Sequence, residues 1–292
     1  MTAQVTSELL ISTLRSSRQR TLELLEGLTG EQLIGPKLPI VNPIIWEIGH
    51  VAWFYEFFIL RQEDGHQPLL ERGDALYDSI AIAHDTRWDL PVYPLGEMKD
   101  YMAKVLDILI GRLDKDATSE RDSYLYQFTA FHEDMHDEAF TWARQTLAYP
   151  APVFRSDGAE TAQRLALTGM LDGDADIPGG VFRLGSRPDD AFVFDNEKWA
   201  HDVIVAPFCM ARAPVTCCQY AEFVEDGGYV SDTLWSEAGL AWRREAVAQH
   251  PVYWKRDGSG GWRIRLFDKW RGLAADAPVV HVNWHEANAY CQ

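Results

Sequence analysis

The spacing of apolar residues divides the chain into a helical first half and a second half of a different kind. "SELLISTLRSSRQRTLELLEGL" carries apolar residues at three- and four-residue steps, the period of an amphipathic helix. "NPIIWEIGHVAWFYEFFILRQ" has the same period, with Asn42 as the expected N-cap and Pro43 as the first helical residue. The period recurs in "LGEMKDYMAKVLDILIGRLDK" and in "SERDSYLYQFTAFHEDMHDEAFTWARQTLA". Four long helices without a convincing strand predict a helix bundle.

The third of these helices has the clearest apolar face. Its members recur at helical spacing and are expected in the core: Met98, Tyr101, Met102, Val105, Leu106, Leu109 and Leu113. Between the second and third helices, "DALYDSIAIAHDTRWDLPVYP" has no helical period and predicts a long loop. Loops of this length inside a compact domain are often functional.

After "AYPAPVF" the pattern changes to short extended segments, turns and aromatic residues. "IPGGVFRLGS" predicts two strands around a Gly-Gly turn, and "HDVIVAPFCMARAPVT" is extended. "CCQYAEFVEDGGY" predicts a short helix that is ended by glycines. The pattern therefore predicts an α+β chain with two domains: a four-helix bundle at residues 1–150 and a mixed, loop-rich domain at residues 151–292.

Length and composition fit this picture. A chain of 292 residues can bury two cores, and 47% hydrophobic with 24% charged residues is typical of soluble globular proteins. No apolar run reaches the roughly 18 residues of a membrane span. The N-terminus "MTAQVTSELL" lacks the basic start and apolar block of a secretory signal. We therefore expect a cytoplasmic protein without a membrane partner.

Charge and cysteine content exclude two classes of function. The formal net charge of −17 argues against nucleic-acid binding, because the phosphate backbone would be repelled. The four cysteines include no CxxC pair, so neither a zinc ribbon nor a thioredoxin-type site is expected.

The stretch "FHEDMHDEAF" carries the first candidate chemistry. His132 and His136 are four residues apart on a predicted helix, so both side chains leave from the same face. This spacing lets two imidazoles bind one metal ion, although a solvent-exposed pair would have the same spacing. Aromatic residues on both sides indicate a buried helix, and a buried imidazole needs hydrogen-bond partners or a metal.

A third histidine, His50, lies in "WEIGHVAWF", the most apolar of the predicted helices. A lone histidine there is commonly a hydrogen-bonded core residue, but one shared ion explains two internal sites in one bundle more simply. Three protein ligands leave coordination positions open, which favours a catalytic metal over a structural one. The acids Glu133 and Asp137 lie about 100° round the helix from the histidines and suit supporting or surface roles.

The motifs taken together resemble a known family. "NPIIWEIGHVAWFYEFFILR", "FHEDMHDEAFTW" and the run "IPGGVFRLGS … FDNEKWAHDVIVAPF … PVTCCQYAEFVEDGGY … LWSEAGLAW … HPVYW … VVHVNWHEANAYC" are similar to the ergothioneine-type nonheme-iron sulfoxide synthases. That family joins a DinB-like four-helix bundle to a domain resembling the formylglycine-generating enzyme. The resemblance covers nearly the whole chain, and the order of the motifs is more specific than the histidine pair alone.

The resemblance implies a metal and a reaction. It makes His50, His132 and His136 the ligands of Fe(II), with O2 as co-substrate. The implied reaction couples a sulfur donor to the imidazole C2 of hercynine (Nα-trimethylhistidine) and gives a sulfoxide. A related branch, the selenoneine synthases, couples a selenosugar instead, and the sequence leaves a thiol or a selenosugar donor open.

The predicted loop holds two candidate substrate-binding residues. Arg87 lies where the family has a basic residue that binds a carboxylate of the thiol substrate. A surface ion pair with Asp85 or Asp89 would explain Arg87 equally well. His84 is then either a packing residue of the loop or part of the substrate wall.

The chain departs from the family at two places. Many relatives have a glutamine that helps to hold the histidine-type substrate where this chain has Met135, a weak acceptor that cannot donate. Met135 is therefore a candidate substrate contact, with an altered placement of the substrate. Relatives also continue beyond "WHEANAYC", so the second domain is expected to be truncated and the catalytic tyrosine to lie beyond residue 292.

Two other functions fit parts of the pattern. DinB-type bundles with three histidines also serve zinc-dependent thiol transferases or isomerases, although such proteins usually lack the second domain found here. The chain would alternatively be a non-catalytic metal-binding module, or a scaffold whose histidines satisfy each other in the core.

Overall fold

The computed structural model of the chain describes residues 5–113, 118–155 and 173–292. Its first half contains the four predicted long helices, whose existence is confirmed. The four long helices are α1 (Ser7–Leu25), α3 (Ile44–Tyr55), α5 (Leu95–Leu113) and α6 (Glu120–Thr146). Two short helices, α2 (Gly30–Ile34) and α4 (Gly73–Tyr77), lie between them. A π-helical segment, Glu56–Arg61, continues α3 without a break.

The helix starts are set by polar side chains, with one exception. Ser119 caps α6 in a capping box with Asp122, and Thr6 caps α1. In α3 the N-cap is Pro43 and the helix begins at Ile44, so the prediction that Asn42 caps this helix is wrong. The Asn42 side chain is engaged elsewhere, with Glu47 and Arg87.

The centre of the bundle is α3. It contacts α2, α4, α5 and α6, and every residue of α3 except Phe54 is buried. Such all-round burial explains why its sequence is apolar on every face. The predicted apolar face of α5 is buried as well, except that Leu106 is only partly buried.

Polar groups join α1 to α6. Arg18 donates to Glu133 across 2.8 Å, and the Thr21 hydroxyl lies within hydrogen-bond distance of both Glu133 and Asp137. The two acids are buried, with exposed fractions of 1% for Glu133 and 7% for Asp137. The expectation that they support the histidines or lie on the surface is therefore wrong, because they face α1.

The loop between α3 and α5 is more ordered than its sequence predicts. Helix α4 occupies its start, and a 3-10 turn forms at His84–Thr86. The Tyr77 ring at the end of α4 lies against Gly49 of α3, where an added Cβ would be 2.1 Å from Tyr77 Cε1. A glycine is thus required for α4 to approach α3.

The second half contains short strands. These are β1 (Asp174–Ile177), β2 (Gly180–Leu184), β3 (His201–Val205), β4 (Phe208–Ala211), β5 (Trp254–Arg256), β6 (Trp262–Leu266) and β7 (Lys269–Gly272). The two strands around the Gly-Gly turn are present but do not pair with each other: β1 pairs with β4 and β2 with β3, and β5, β6 and β7 form a third sheet.

The described part of this half also contains helices α7 (Cys217–Glu225), α8 (Glu237–Glu245) and α9 (Trp284–Cys291). As predicted, α7 is followed by glycines, Gly227 and Gly228. The core beside these helices is largely aromatic, and its buried members are Cys217, Tyr220, Tyr229, Trp235, Trp254, Ile264 and Ala289.

The chain has an α+β fold, as predicted, and forms two compact units. One unit comprises Met1–Ser156 with Phe182–Val203, and the other comprises Asp157–Val181 with Ile204–Gln292. A domain boundary at residue 150 stays a prediction. Among the helices of the described residues, none has the length and apolar character needed to cross a membrane.

Candidate metal centre

Three histidines from two helices meet inside the first unit. His50 comes from α3, and His132 and His136 come from α6. One ring nitrogen of each lies within 4.8 Å of the others, and the Nε2 atoms of His50 and His132 are 3.3 Å apart. Two nitrogens bound to one ion at about 2.1 Å lie roughly 3.0 to 3.4 Å from each other. The spacing of His50 and His132 is therefore that of two ligands of one ion.

The backbone of Tyr77 fixes the tautomer of His50. The Nδ1 atom of His50 lies 2.8 Å from the carbonyl oxygen of Tyr77. Because a carbonyl oxygen only accepts, Nδ1 carries the proton and donates, and Nε2 presents its lone pair to the other histidines. The close approach of Tyr77 to Gly49 places this carbonyl.

The acid Glu47 supports His136 from the opposite helix. Its Oε1 atom lies 3.1 Å from His136 Nδ1, and its exposed fraction is only 2%. The Asn42 amide donates to the same oxygen across 3.0 Å. Sequence reasoning missed Glu47, although an acid in the middle of an apolar helix, three residues before His50, was a visible signal.

An aromatic ring supports His132. The Phe54 ring stacks on it at a centroid distance of 3.6 Å and an interplanar angle of 8°. Among the described residues, the buried Nδ1 atom of His132 has no hydrogen-bond partner. Further rings, Phe58 and Phe128, continue the apolar surroundings beside Phe54. Apolar surroundings limit the access of water to a metal.

Burial favours the neutral imidazole form of His50 and His132. It lowers the pKa of His50 to about 4, with a smaller contribution from the nearby His136. Burial also lowers the pKa of His132 well below its usual range, and His136 and His50 act in the same direction. The neutral form is the one that binds a metal. Three imidazole nitrogens that converge in this way fit a divalent transition metal such as iron or zinc.

Arg87 lies one aromatic ring away from this centre. Its guanidinium carbon is 4.0 Å from the centroid of Trp46, whose ring stacks on His50 at 5.2 Å. Arg87 donates to Asn42 Oδ1 at 2.8 Å and, more weakly, to the carbonyl oxygens of Ser79 and Ile82. These hydrogen bonds go to neutral groups, so the structure does not show a surface ion pair of Arg87 with Asp85 or Asp89.

The environment of Arg87 favours binding of an anion. Burial lowers the pKa of Arg87, while Glu47 opposes this effect. Its Nε is buried and has no hydrogen-bond partner among the described residues. A partly desolvated guanidinium whose hydrogen bonds go only to neutral groups gains more from a carboxylate than a solvated one does.

The other two candidate substrate contacts lie in different surroundings. His84 Nε2 donates to the carbonyl oxygen of Val41 across 2.7 Å, and its ring meets Trp88 edge-on. Met135 lies on α6 with 56% of its surface exposed. The described contacts bring neither residue to the three histidines, and their roles in substrate binding stay predictions.

Comparisons with known proteins agree with the two-part organisation. The DinB superfamily matches residues 13–140, and the sulfatase-modifying factor enzyme 1-like domain matches residues 160–292. The hercynine oxygenase of Mycolicibacterium smegmatis is 31% identical over 98% of this chain and 65% of its own length. That of Mycolicibacterium thermoresistibile is 32% identical over 94% of this chain and 60% of its own length.

The second half is also similar to enzymes of another kind. The formylglycine-generating enzyme of Thermomonospora curvata is 34% identical over 39% of this chain and 41% of its own length. The chain thus spans somewhat less than two thirds of the length of these hercynine oxygenases and a smaller part of this enzyme.

Proposed function

We propose that this chain, which is similar to the hercynine oxygenases over nearly its whole length and in which a DinB superfamily match precedes a sulfatase-modifying factor enzyme 1-like match, is an oxygen-dependent enzyme acting on hercynine. In this proposal it binds nonheme Fe(II) and forms a C–S or C–Se bond at the imidazole C2, in ergothioneine or selenoneine biosynthesis. The observation that carries the proposal is the convergence of His50, His132 and His136, whose ligand atoms lie within 4.8 Å of one another.

The proposed reaction balances without a further reductant. The C2–H hydrogen of hercynine and the S–H or Se–H hydrogen of the donor leave with one oxygen atom as water. The other oxygen atom of O2 ends on the sulfur or selenium. An iron(II) ion supplies the activation of O2 that this coupling needs, and the protein supplies binding and orientation.

The residues of the centre have separate tasks in this proposal. The three imidazoles would hold the metal and leave other coordination positions for substrates, which would bring the reacting groups together at one ion. Arg87 binds a carboxylate of the donor, because its guanidinium has an unpartnered Nε and lies beside Trp46. This task applies to thiol donors such as cysteine and γ-glutamylcysteine, which carry carboxylates, and not to a selenosugar.

The test is anaerobic reconstitution with Fe(II), followed by addition of hercynine, O2 and one donor. The donors are cysteine, γ-glutamylcysteine and a selenosugar, and the readouts are O2 consumption and product mass. We expect a product whose mass equals hercynine plus donor plus one oxygen atom, less two hydrogens. His132→Ala is expected to abolish it, whereas His66→Ala, a change at an exposed histidine, is expected to retain it.

The three histidine ligands also fit a second candidate function, that of a zinc-dependent thiol transferase or isomerase of the DinB type. Three histidines and an open position are a common arrangement at catalytic zinc. Zinc as the tightly bound metal, with no O2 consumed in the presence of hercynine and every donor, would contradict the iron proposal and favour this one.

A further inference from the structure

Glu47 is a buried acid whose hydrogen bonds point to the metal centre. It is 2% exposed, and its Oε1 lies 3.0 Å from Asn42 Nδ2 and 3.1 Å from His136 Nδ1. Burying an acid is costly unless it is hydrogen-bonded, so a residue of this type in the apolar α3 needs a specific reason. Among the described residues, the only ion-pair partner of Glu47 is His136.

The position of Glu47 on α3 makes its contact with His136 informative. Glu47 precedes His50 by three residues, so both side chains leave from neighbouring positions on one helix face. His50 offers a ring nitrogen to the centre, and Glu47 reaches across to a histidine of α6. The same helix therefore carries one ligand and the group that contacts another.

We propose that Glu47 is a positioning residue, which accepts a hydrogen bond from Nδ1–H of His136 and so directs Nε2 of that ring to the metal. Asn42 holds Glu47 in place through its amide hydrogen and accepts a hydrogen bond from Arg87 through its amide oxygen. A chain of hydrogen bonds thus runs from Arg87 through Asn42 and Glu47 to His136. This inference rests on the proposed function, because it assigns a role in the same centre.

The test compares Co(II) binding by the whole chain and its variants, measured under anaerobic conditions by competition with a chelator. We expect Glu47→Ala to weaken binding by about 10- to 100-fold, as is usual for loss of a group that orients a ligand. Glu47→Gln keeps an acceptor oxygen and is expected to lose less than tenfold. Asn42→Ala, which removes one hydrogen bond from Glu47, is expected to lose about fivefold.

Glu56 provides the matched control. It is 1% exposed, lies on the π-helical continuation of α3, and accepts hydrogen bonds from Tyr101 and Leu69. Glu56→Ala and Glu56→Gln therefore remove an equally buried acid that makes no described contact with the three histidines. We expect both to lower the melting temperature and to leave Co(II) affinity within about twofold of the parent chain.

A second readout separates positioning from general stability. In the Zn(II)-loaded chain with isotope-labelled histidine, the Nδ1 proton of His136 is expected to give a slowly exchanging signal. That signal should persist in Glu56→Ala, weaken in Glu47→Gln and disappear in Glu47→Ala. A merely structural role of Glu47 would leave the signal in every variant that folds.

The outcomes distinguish the two proposals. A parent chain that binds Co(II), with Glu47→Gln and Glu47→Ala binding as tightly as their Glu56 counterparts, would overturn the positioning role and leave the proposed function standing. A parent chain without measurable Co(II) binding would overturn both. The expected order of affinities in a chain that shows no hercynine-dependent O2 consumption would support the positioning role and remove only the oxygenase assignment.

Discussion

At the scale of single residues, close packing holds the candidate centre in place. Gly49 lets the Tyr77 ring lie directly on α3, and that contact brings the Tyr77 carbonyl to His50 Nδ1. Phe54 supports His132 by stacking, without a hydrogen bond. The orientation of two of the three imidazoles thus depends on neighbours that carry no charge.

Gly49→Ala tests this dependence. The added Cβ would lie 2.1 Å from Tyr77 Cε1, so α4 must move away from α3. We expect the free energy of unfolding to fall by about 1 to 3 kcal/mol, the usual cost of overpacking, and Co(II) affinity to fall as well. Denaturant unfolding and metal titration measure the two effects.

Gly111→Ala is the control for that substitution. Gly111 lies in α5 with nothing within 4 Å of its added Cβ, so alanine should stabilise the helix by roughly 0.5 to 1 kcal/mol. If Gly49→Ala behaved like Gly111→Ala, the packing of Tyr77 on α3 would not hold His50.

Arg87→Met tests the donor site. Methionine keeps an unbranched apolar side chain beside Trp46 but removes the charge and the hydrogen-bond donors. We expect the KM for a carboxylate-bearing thiol to rise about 10- to 100-fold, because a hydrogen bond to a charged group contributes about 1.5 to 3 kcal/mol. The KM for hercynine should stay within about twofold.

The control for Arg87→Met is Arg121→Met, at a mostly exposed arginine that pairs with Glu63. This variant should leave both KM values unchanged. An equal rise of the KM for hercynine and for the thiol in Arg87→Met would argue against a contact with the donor alone.

At the scale of elements, the helices were predictable and many of their contacts were not. The period of the apolar residues predicted where α1, α3, α5 and α6 lie along the chain. The four-residue spacing of His132 and His136 predicted that both lie on one face of α6. The sequence did not reveal which helix faces Glu133 and Asp137, because the pattern of one helix does not identify its neighbour. The contact of Glu47 with a histidine of α6 was hidden for the same reason.

The buried pair of Arg18 and Glu133 joins α1 to α6 and gives a prediction at this scale. Arg18→Met leaves Glu133 buried without its ion-pair partner, and we expect a loss of about 3 to 5 kcal/mol in the free energy of unfolding. The double variant with Glu133→Leu also removes the uncompensated acid and should recover most of that loss. Denaturant unfolding of both variants measures the two free energies of unfolding. If the double variant did not recover the lost stability, the pair itself would stabilise the interface between α1 and α6.

At the scale of the whole molecule, the candidate centre belongs to one of the two compact units. All three histidines lie within Met1–Ser156. The sequence predicted a helical half and a mixed half, but not that residues 182–203 would group with the helices. Nor did it predict that β1 pairs with β4, because strand pairing depends on contacts between residues far apart in the chain.

A metal should therefore stabilise the two units differently. At a free Co(II) concentration 100 times the Kd, we expect the unfolding free energy of the unit with the histidines to rise by about 2.7 kcal/mol. The melting temperature of the other unit should not change. In the His132→Ala variant, Co(II) should change the melting temperature of neither unit. Scanning calorimetry with and without Co(II) measures both, and an equal shift of the entire melting profile would contradict independent unfolding.

His50 and His132 are 82 positions apart in the chain, and this separation bears on protein synthesis. At about 5 to 20 residues per second, a ribosome needs roughly 4 to 16 s to proceed from the first of these codons to the second. During that interval the nascent polypeptide contains only one of the three candidate ligands, His50, and cannot form the three-histidine site. Binding of the metal by all three histidines must therefore wait until α6 has been translated.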